Sequence, residues 1–180
     1  MNRFLTVAFF SSLAVPVFAQ TFTPTDGNSK VKFVIRNFGI STGGTFEGLQ
    51  GTINFDSNNP ATASFEVSVD VSTVDTDIEP RDNHLRRAEY FDAKTHPKII
   101  FKSTRITKTN KEGYLYMFGI ITIKGVAKEV KFPFKATLKD GGLLFEGEFK
   151  LNRRDFGVGR RSLSLSDELN VELSIFAKKS

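Results

Sequence analysis

The feature that most constrains this 180-residue chain is an alternation of apolar and polar side chains with a period of two. Val31, Phe33 and Ile35 alternate with Lys30, Lys32 and Arg36, and Phe65, Val67, Val69 and Val71 alternate with Ser64, Glu66, Ser68 and Asp70. The pattern returns in Val130, Phe132, Phe134, Ala136 and Leu138, in Leu143, Phe145, Phe149 and Leu151, and in Leu169, Val171, Leu173 and Ile175. Successive side chains of a strand point to opposite faces, so each run predicts a strand with one buried and one wet face. Residues 45–55, 98–103 and 114–123 add three more, giving eight predicted strands. In the 114–123 run both faces are apolar, with Leu115, Met117 and Ile121 on one and Tyr116, Phe118 and Ile120 on the other. Periodicity leaves open which of the two turns inward.

Turn chemistry separates the runs. Ser41-Thr42-Gly43-Gly44, Asp56 to Pro60, Asn110 to Gly113, Lys124-Gly125 and Asp140-Gly141-Gly142 all lie between them, and such short links join antiparallel neighbours. Residues 80–91 break the rhythm. Pro80 stands at the start and Leu85 and Ala88 follow at helical spacing, so a short helix is expected between the third and fourth strands. Eight antiparallel strands can close into a barrel, which removes exposed edges; a two-sheet sandwich is the competing architecture. Strands of about ten residues tilted by about 40° would make a barrel on the order of 25 Å tall, suited to an elongated guest.

The first twenty residues have Arg3, an apolar run from Phe4 to Phe18, and small residues Val17 and Ala19 at a cleavage-like spacing. They are expected to form a secretory signal peptide cut after Ala19, leaving residues 20–180 as one domain. With no Cys, the exported chain relies on packing rather than disulfides. The net charge of +5 comes from dispersed lysines that alternate with apolar residues, a solvated sheet face rather than a nucleic-acid footprint. A membrane-spanning barrel would carry its apolar face and aromatic girdles outside. Here one face of most strands bears Lys, Glu and Arg, and Trp is absent.

The aromatic content is 19 Phe against 3 Tyr. Rings without polar handles either fill a core or line a cavity for hydrocarbon, needing no hydrogen-bond partner in either case. With the apolar faces turned inward, the lining comprises Phe33, Ile35, Phe46, Phe65, Val67, Val69, Phe101, Met117, Ile121, Phe132, Phe134, Phe149, Val171 and Leu173, with Leu85 from the helix. Arg81, Asp82 and His84 form a polar knot at the helix start, and Arg153 and Asp155 open an arginine-rich segment continuing through Arg154, Arg160 and Arg161. These groups are read as loop-fixing residues or headgroup contacts. An enzyme reading would make His84 a base oriented by Asp82. Two His after the leader and no Cys supply a structural zinc site poorly, although carboxylates could complete one, so no metal is expected; no P-loop, dinucleotide fingerprint or nucleophile elbow is present.

Three segments carry a resemblance to a known family. STVDTDIEPRDNHLRRAEYFDAKTHPKIIFKST, residues 72–104, resembles the signature stretch of the YceI family. TIKGVAKEVKFPF is similar to its threonine-x-lysine-glycine-valine hairpin, and LNRRDFGVG to its asparagine-arginine-x-aspartate-phenylalanine-glycine element. Glu89 and Tyr90 stand where the family often has aspartate and phenylalanine, which preserves charge and ring. The resemblance implies an all-β, lipocalin-like extended barrel of eight antiparallel strands, exported to the periplasm. It also implies that the barrel encloses a polyisoprenoid or isoprenoid quinone-like lipid and works without a cofactor or catalytic residue. Long-chain isoprenoid lipid is then the expected partner, with transient membrane contact and a monomer or dimer as further expectations. An enzyme acting on such lipids and a ligand-free stress protein are the alternative functions.

Overall fold

The computed structural model describes residues 20–180; the expected leader, residues 1–19 with its cleavage point, lies outside the described residues. Its strands are β1 (Gln20–Pro24), β2 (Lys30–Asn37), β3 (Ile40–Phe46), β4 (Gln50–Phe55), β5 (Ser64–Asp70), β6 (Lys98–Lys108), β7 (Leu115–Ile123), β8 (Val126–Lys139), β9 (Gly142–Asn152) and β10 (Leu165–Lys179). Alternation decides which faces are buried. In β9, Leu143, Phe145, Phe149 and Leu151 are buried while Glu146, Glu148 and Lys150 are exposed.

The ten segments form eight staves of a closed antiparallel barrel. β1 and β2 lie end to end along β10, with Phe22 opposite Lys179 and Val31 opposite Leu173. β3 and β4 lie end to end beside them, with Phe46 opposite Val31 and Ile53 opposite Phe22. The two interruptions are tied together, because the Asp26 carboxylate accepts from the Gly48 and Leu49 amides at 3.1 and 2.7 Å. β1 therefore pairs with β4 on one edge and β10 on the other, which closes the ring and leaves no free edge there.

Several boundaries differ from expectation for identifiable reasons. The turn expected at residues 41–44 is strand, and the reversal occurs at Phe38-Gly39, with φ of 51° and 77°. Both central residues have positive φ, the two-residue hairpin geometry that also joins β7 to β8 and β8 to β9. Gly43 and Gly44 serve close packing instead, since a Cβ would overlap the Phe33 carbonyl oxygen at Gly43 and the Asp75 carbonyl oxygen at Gly44. β6 runs on to Lys108 through a bulge between Ser103 and Arg105 that shifts the alternation by one residue. Ile99 and Phe101 face inward before it and Ile106, 2% exposed, after it, so the phase change hides the strand's second half.

The helix α1 spans Glu79–Leu85, after β5 and before β6. Pro80 in its first turn and the acids Glu79 and Asp82 favour its start. It is shorter than the expected residues 80–91. Past Arg86 the chain turns instead, held by Arg86, whose guanidinium donates to the Ser72 and Val74 carbonyls at 2.7 and 2.9 Å. This excursion, residues 71–97, crosses to β3, where Thr45 and Asp75 exchange backbone hydrogen bonds of 2.8 and 3.1 Å. It packs Leu85, Tyr90 and Phe91 against the core at the end of the barrel where β3 has no strand on its outer edge.

Gly51 has φ of +133°, and a Cβ there would overlap the Glu66 carbonyl oxygen across the β4–β5 ladder. Gly51→Ala should lower the unfolding free energy by about 1–3 kcal/mol through combined backbone strain and strand displacement. Urea denaturation would register this as a lower midpoint.

Candidate ligand cavity

The inner faces of the staves surround a cavity of about 460 Å³. One end is plugged by phenyl rings. Phe65 packs against Phe145, Phe134 and Phe55 with centroids 5.0, 5.8 and 6.4 Å apart, all edge-on. Such edge-to-face contacts interlock rings more firmly than face-to-face stacking. Further along the axis Phe132 and Phe149 stack at 4.6 Å, with Phe101 against Phe132 at 6.0 Å. At the opposite end the lining becomes polar, with Asn37, Thr42, His84, Arg160, Ser162 and Ser164. Asn37, His84, Arg160 and Ser162 are exposed, so the cavity meets solvent there, whereas Ile53, Phe65, Phe134 and Phe145 at the plugged end are buried.

Every expected lining residue borders this cavity. Phe33, Ile35, Phe46, Phe65, Val67, Val69, Leu85, Phe101, Met117, Ile121, Phe132, Phe134, Phe149, Val171 and Leu173 are all brought together. The ambiguity in β7 is resolved, with Met117 and Ile121 inside and Tyr116, Phe118 and Ile120 outside. The outer face is not covered by the helix. Arg105 from β6 lies over the Phe118 ring instead, 4.2 Å from its centroid.

Sequence reading missed other lining residues. Phe145 and Leu151 share strand parity with Phe149, and Asn37 shares it with Phe33 and Ile35, so parity contains the signal for them; Ile53 is out of phase with Phe46, because the expected 45–55 strand is two separate segments, β3 and β4. Tyr90, Phe91, Phe156 and Val158 lie outside the strands, where no period announces direction.

The polar candidates divide by geometry. Asp82 is buried and accepts hydrogen bonds from the Thr76 amide at 3.0 Å and from the Thr76 hydroxyl. Arg81 donates to the Thr76 hydroxyl and carbonyl at 2.8 and 2.6 Å and to the Thr42 hydroxyl at 3.0 Å, fastening α1 to β3. His84 is exposed at the open end, its ring 4.7 Å from that of Tyr90. Asp82, two residues away on the helix, bonds Thr76 rather than His84, so the pair forms no base-and-orienter arrangement. Arg153 is 4% exposed, and its guanidinium donates to the carbonyls of Ser166, Val158 and Arg160 at 2.9, 2.9 and 3.0 Å and to Asp167 at 2.6 Å. It binds the 153–164 loop to the start of β10. Asp155 is exposed and is not among the lining residues, so it stands apart from the cavity that Arg153 borders.

Comparison with known proteins adds identity to this geometry. The profile of the YceI-like domain family matches residues 22–177. The chain belongs to the YceI family. It is 33% identical over 152 residues to Protein YceI of Escherichia coli O157:H7, a match covering 81% of this chain and 78% of that protein. Among solved structures it is similar to BcnA of Burkholderia cenocepacia, with a TM-score of 0.80 and 26% identity over 84% of this chain and 98% of that one. A polyisoprenoid binding domain from Saccharophagus degradans shares the fold, with a TM-score of 0.71 at 11% identity over 91% of this chain and all of that one. Arg153, in the Asn152-to-Gly157 segment on which the resemblance partly rests, is the buried clamp of the 153–164 loop.

Arg153→Ala should therefore destabilise the fold by about 3 kcal/mol, because three carbonyls and Asp167 lose one shared donor. Arg153→Lys should recover only part of this, since one ammonium cannot reach acceptors spread around a planar fork. Chemical denaturation, with limited proteolysis of residues 153–164, checks both.

Proposed function

We propose that this protein is a non-catalytic carrier that holds a long-chain isoprenoid or similar lipid inside the barrel, working in the periplasm after loss of its leader. The observation that carries the reading is the graded cavity: phenyl rings plug one end, mostly apolar side chains line the length with Lys32, Ser68 and Glu146 among them, and polar groups gather at the open end. Such a space accepts hydrocarbon tail first and leaves a polar head near water. Burial contributes about 0.8 kcal/mol per methylene, so a few isoprene units suffice for a stable complex after the cost of ordering the chain. The polyisoprenoid binding that names the Saccharophagus degradans domain supports the same chemistry for this chain. An isoprenoid quinone would present an equivalent tail.

The alternative enzyme reading rests on His84. It is disfavoured by the engagement of Asp82 with Thr76 and by the aromatic neighbour of His84, which supply no oriented proton acceptor.

Mass spectrometry of an organic extract from natively purified, detergent-free protein is expected to find a stoichiometric long-chain isoprenoid. Folded protein that neither carries nor takes up such a lipid would overturn the carrier reading. Val171→Trp, which adds an indole to the cavity wall, should reduce uptake at least tenfold with unchanged circular dichroism. His84→Ala should retain the guest in the same extraction assay.

A further inference from the structure

The open end of the barrel carries an apolar surface that the cavity does not use. Phe38 and Ile40, in and beside the β2–β3 turn, are 81% and 72% exposed, and Leu163, in the loop leading to β10, is fully exposed. The Phe38 amide donates to the Ser164 carbonyl at 2.8 Å, so turn and loop are fastened side by side. Their neighbours Asn37, Ser162 and Ser164 line the cavity, which places these three apolar tips on its rim. Phe38 also holds φ of +51°. That position in a two-residue turn ordinarily takes Asn, Asp or Gly, and a bulky ring there bears backbone strain without gaining burial. A cluster of large exposed apolar residues around an opening marks an interaction surface.

Charge decides what the surface fits. Arg36 lies two residues before Phe38, and Arg160 and Arg161 lie just before Leu163; all three are exposed. None of them takes part in a salt bridge among the described residues. Residues 30–46 and 156–166, which carry the tips, contain no Asp or Glu. The acids of this end lie beside these segments: Asp75, Asp77, Glu79, Glu89 and Asp92 on the excursion, Asp155 beside Arg154, and Asp167 and Glu168 at the start of β10, where they pair with Arg153 and Lys150. Protruding apolar tips backed by guanidinium groups match the boundary of an anionic bilayer, where rings and aliphatic chains reach the acyl region and arginines meet phosphates.

We propose that the rim docks reversibly on an anionic lipid bilayer, inserting Phe38, Ile40 and Leu163 while Arg36, Arg160 and Arg161 lie at headgroup level. Docking sets the cavity opening against the hydrocarbon, so a lipid tail passes between bilayer and barrel without crossing water. This gives the carrier reading a route for loading, but the docking itself requires no guest.

The natural chain has no Trp, so single substitutions report position cleanly. Phe38→Trp and Leu163→Trp are compared with Leu138→Trp, whose site is 88% exposed beside the Asp140-Gly141 turn at the plugged end. The probes are vesicles of equal parts phosphatidylglycerol and phosphatidylethanolamine, and vesicles of phosphatidylcholine, each with brominated acyl chains. On the anionic vesicles the first two variants should shift to the blue and be quenched, while Leu138→Trp stays unchanged. Flotation with those vesicles should weaken roughly fivefold in Arg161→Gln and fall further as salt is raised. Equal quenching at all three positions, or none on any vesicle, overturns the proposal. So does a shift of Phe38→Trp emission with protein concentration alone, which would assign the rim to a second copy of the chain. Because cargo is read separately by extraction, protein that keeps its lipid yet ignores vesicles would refute docking while leaving the carrier reading intact.

Discussion

β1 is only five residues long, yet it is hydrogen-bonded on both edges, and the interior depends on that closure. An open sheet of the same strands would need a second layer to bury its apolar face. A closed ring buries that face against itself, and eight staves set a radius at which side chains alone need not fill the axis. Where the rings go then matters. Phe101 lies against Gly119 on the neighbouring strand and Phe132 lies against Gly147, each occupying the place of a missing side chain. The rings lie along the wall, and space remains beside them. A Cβ at Gly119 would collide with the Phe101 ring, so the small residues and the open interior form one arrangement.

The two arginines of the signature elements act on neighbouring protein groups, chiefly hydroxyls for Arg81 and carbonyls for Arg153, more than on open space. Arg81 spends three donors on Thr76 and Thr42, and Arg153 spends four on the loop that follows it and the strand beyond. Buried loops leave carbonyls that strand pairing cannot reach, and a planar guanidinium satisfies several at once. The open end is therefore framed by polar clamps, and the excursion and the 153–164 loop hold their shape without disulfides. Exposed cations such as Arg160 and Arg161 stand outside this framework and remain available to solvent or a surface.

How much of this was readable in advance follows from where parity holds. Within uninterrupted strands it does: Phe65, Val67 and Val69, or Val171 and Leu173, have no alternative but to share a face, and the cavity lining in those stretches could be named from the alternation. Parity fails at the β6 bulge, where Ile106 faces inward out of phase with Phe101, and at Gly43-Gly44, where a glycine pair signals close packing against Phe33 and Asp75 rather than a turn. It says nothing about Tyr90, Phe91, Phe156 and Val158, whose directions are set by long-range contacts of loops. The length of α1 was likewise hidden, because it is ended by Arg86 reaching the Ser72 and Val74 carbonyls, a contact between segments distant in sequence.

The phenyl plug makes the interior a blind tunnel, and a blind tunnel acts as a ruler. A chain shorter than the tunnel leaves a void at the plugged end; a longer one leaves its surplus in water at a cost of about 0.8 kcal/mol per exposed methylene, unless the tail can fold back on itself. Withdrawal happens through the same opening, and each unit drawn out gives up its contacts before the head is free. On the proposed carrier reading, release then slows steeply with tail length up to the depth of the tunnel and levels off beyond it. In such a carrier the position of Phe65 and its neighbours along the barrel axis would set a kinetic preference for chain length independent of the head.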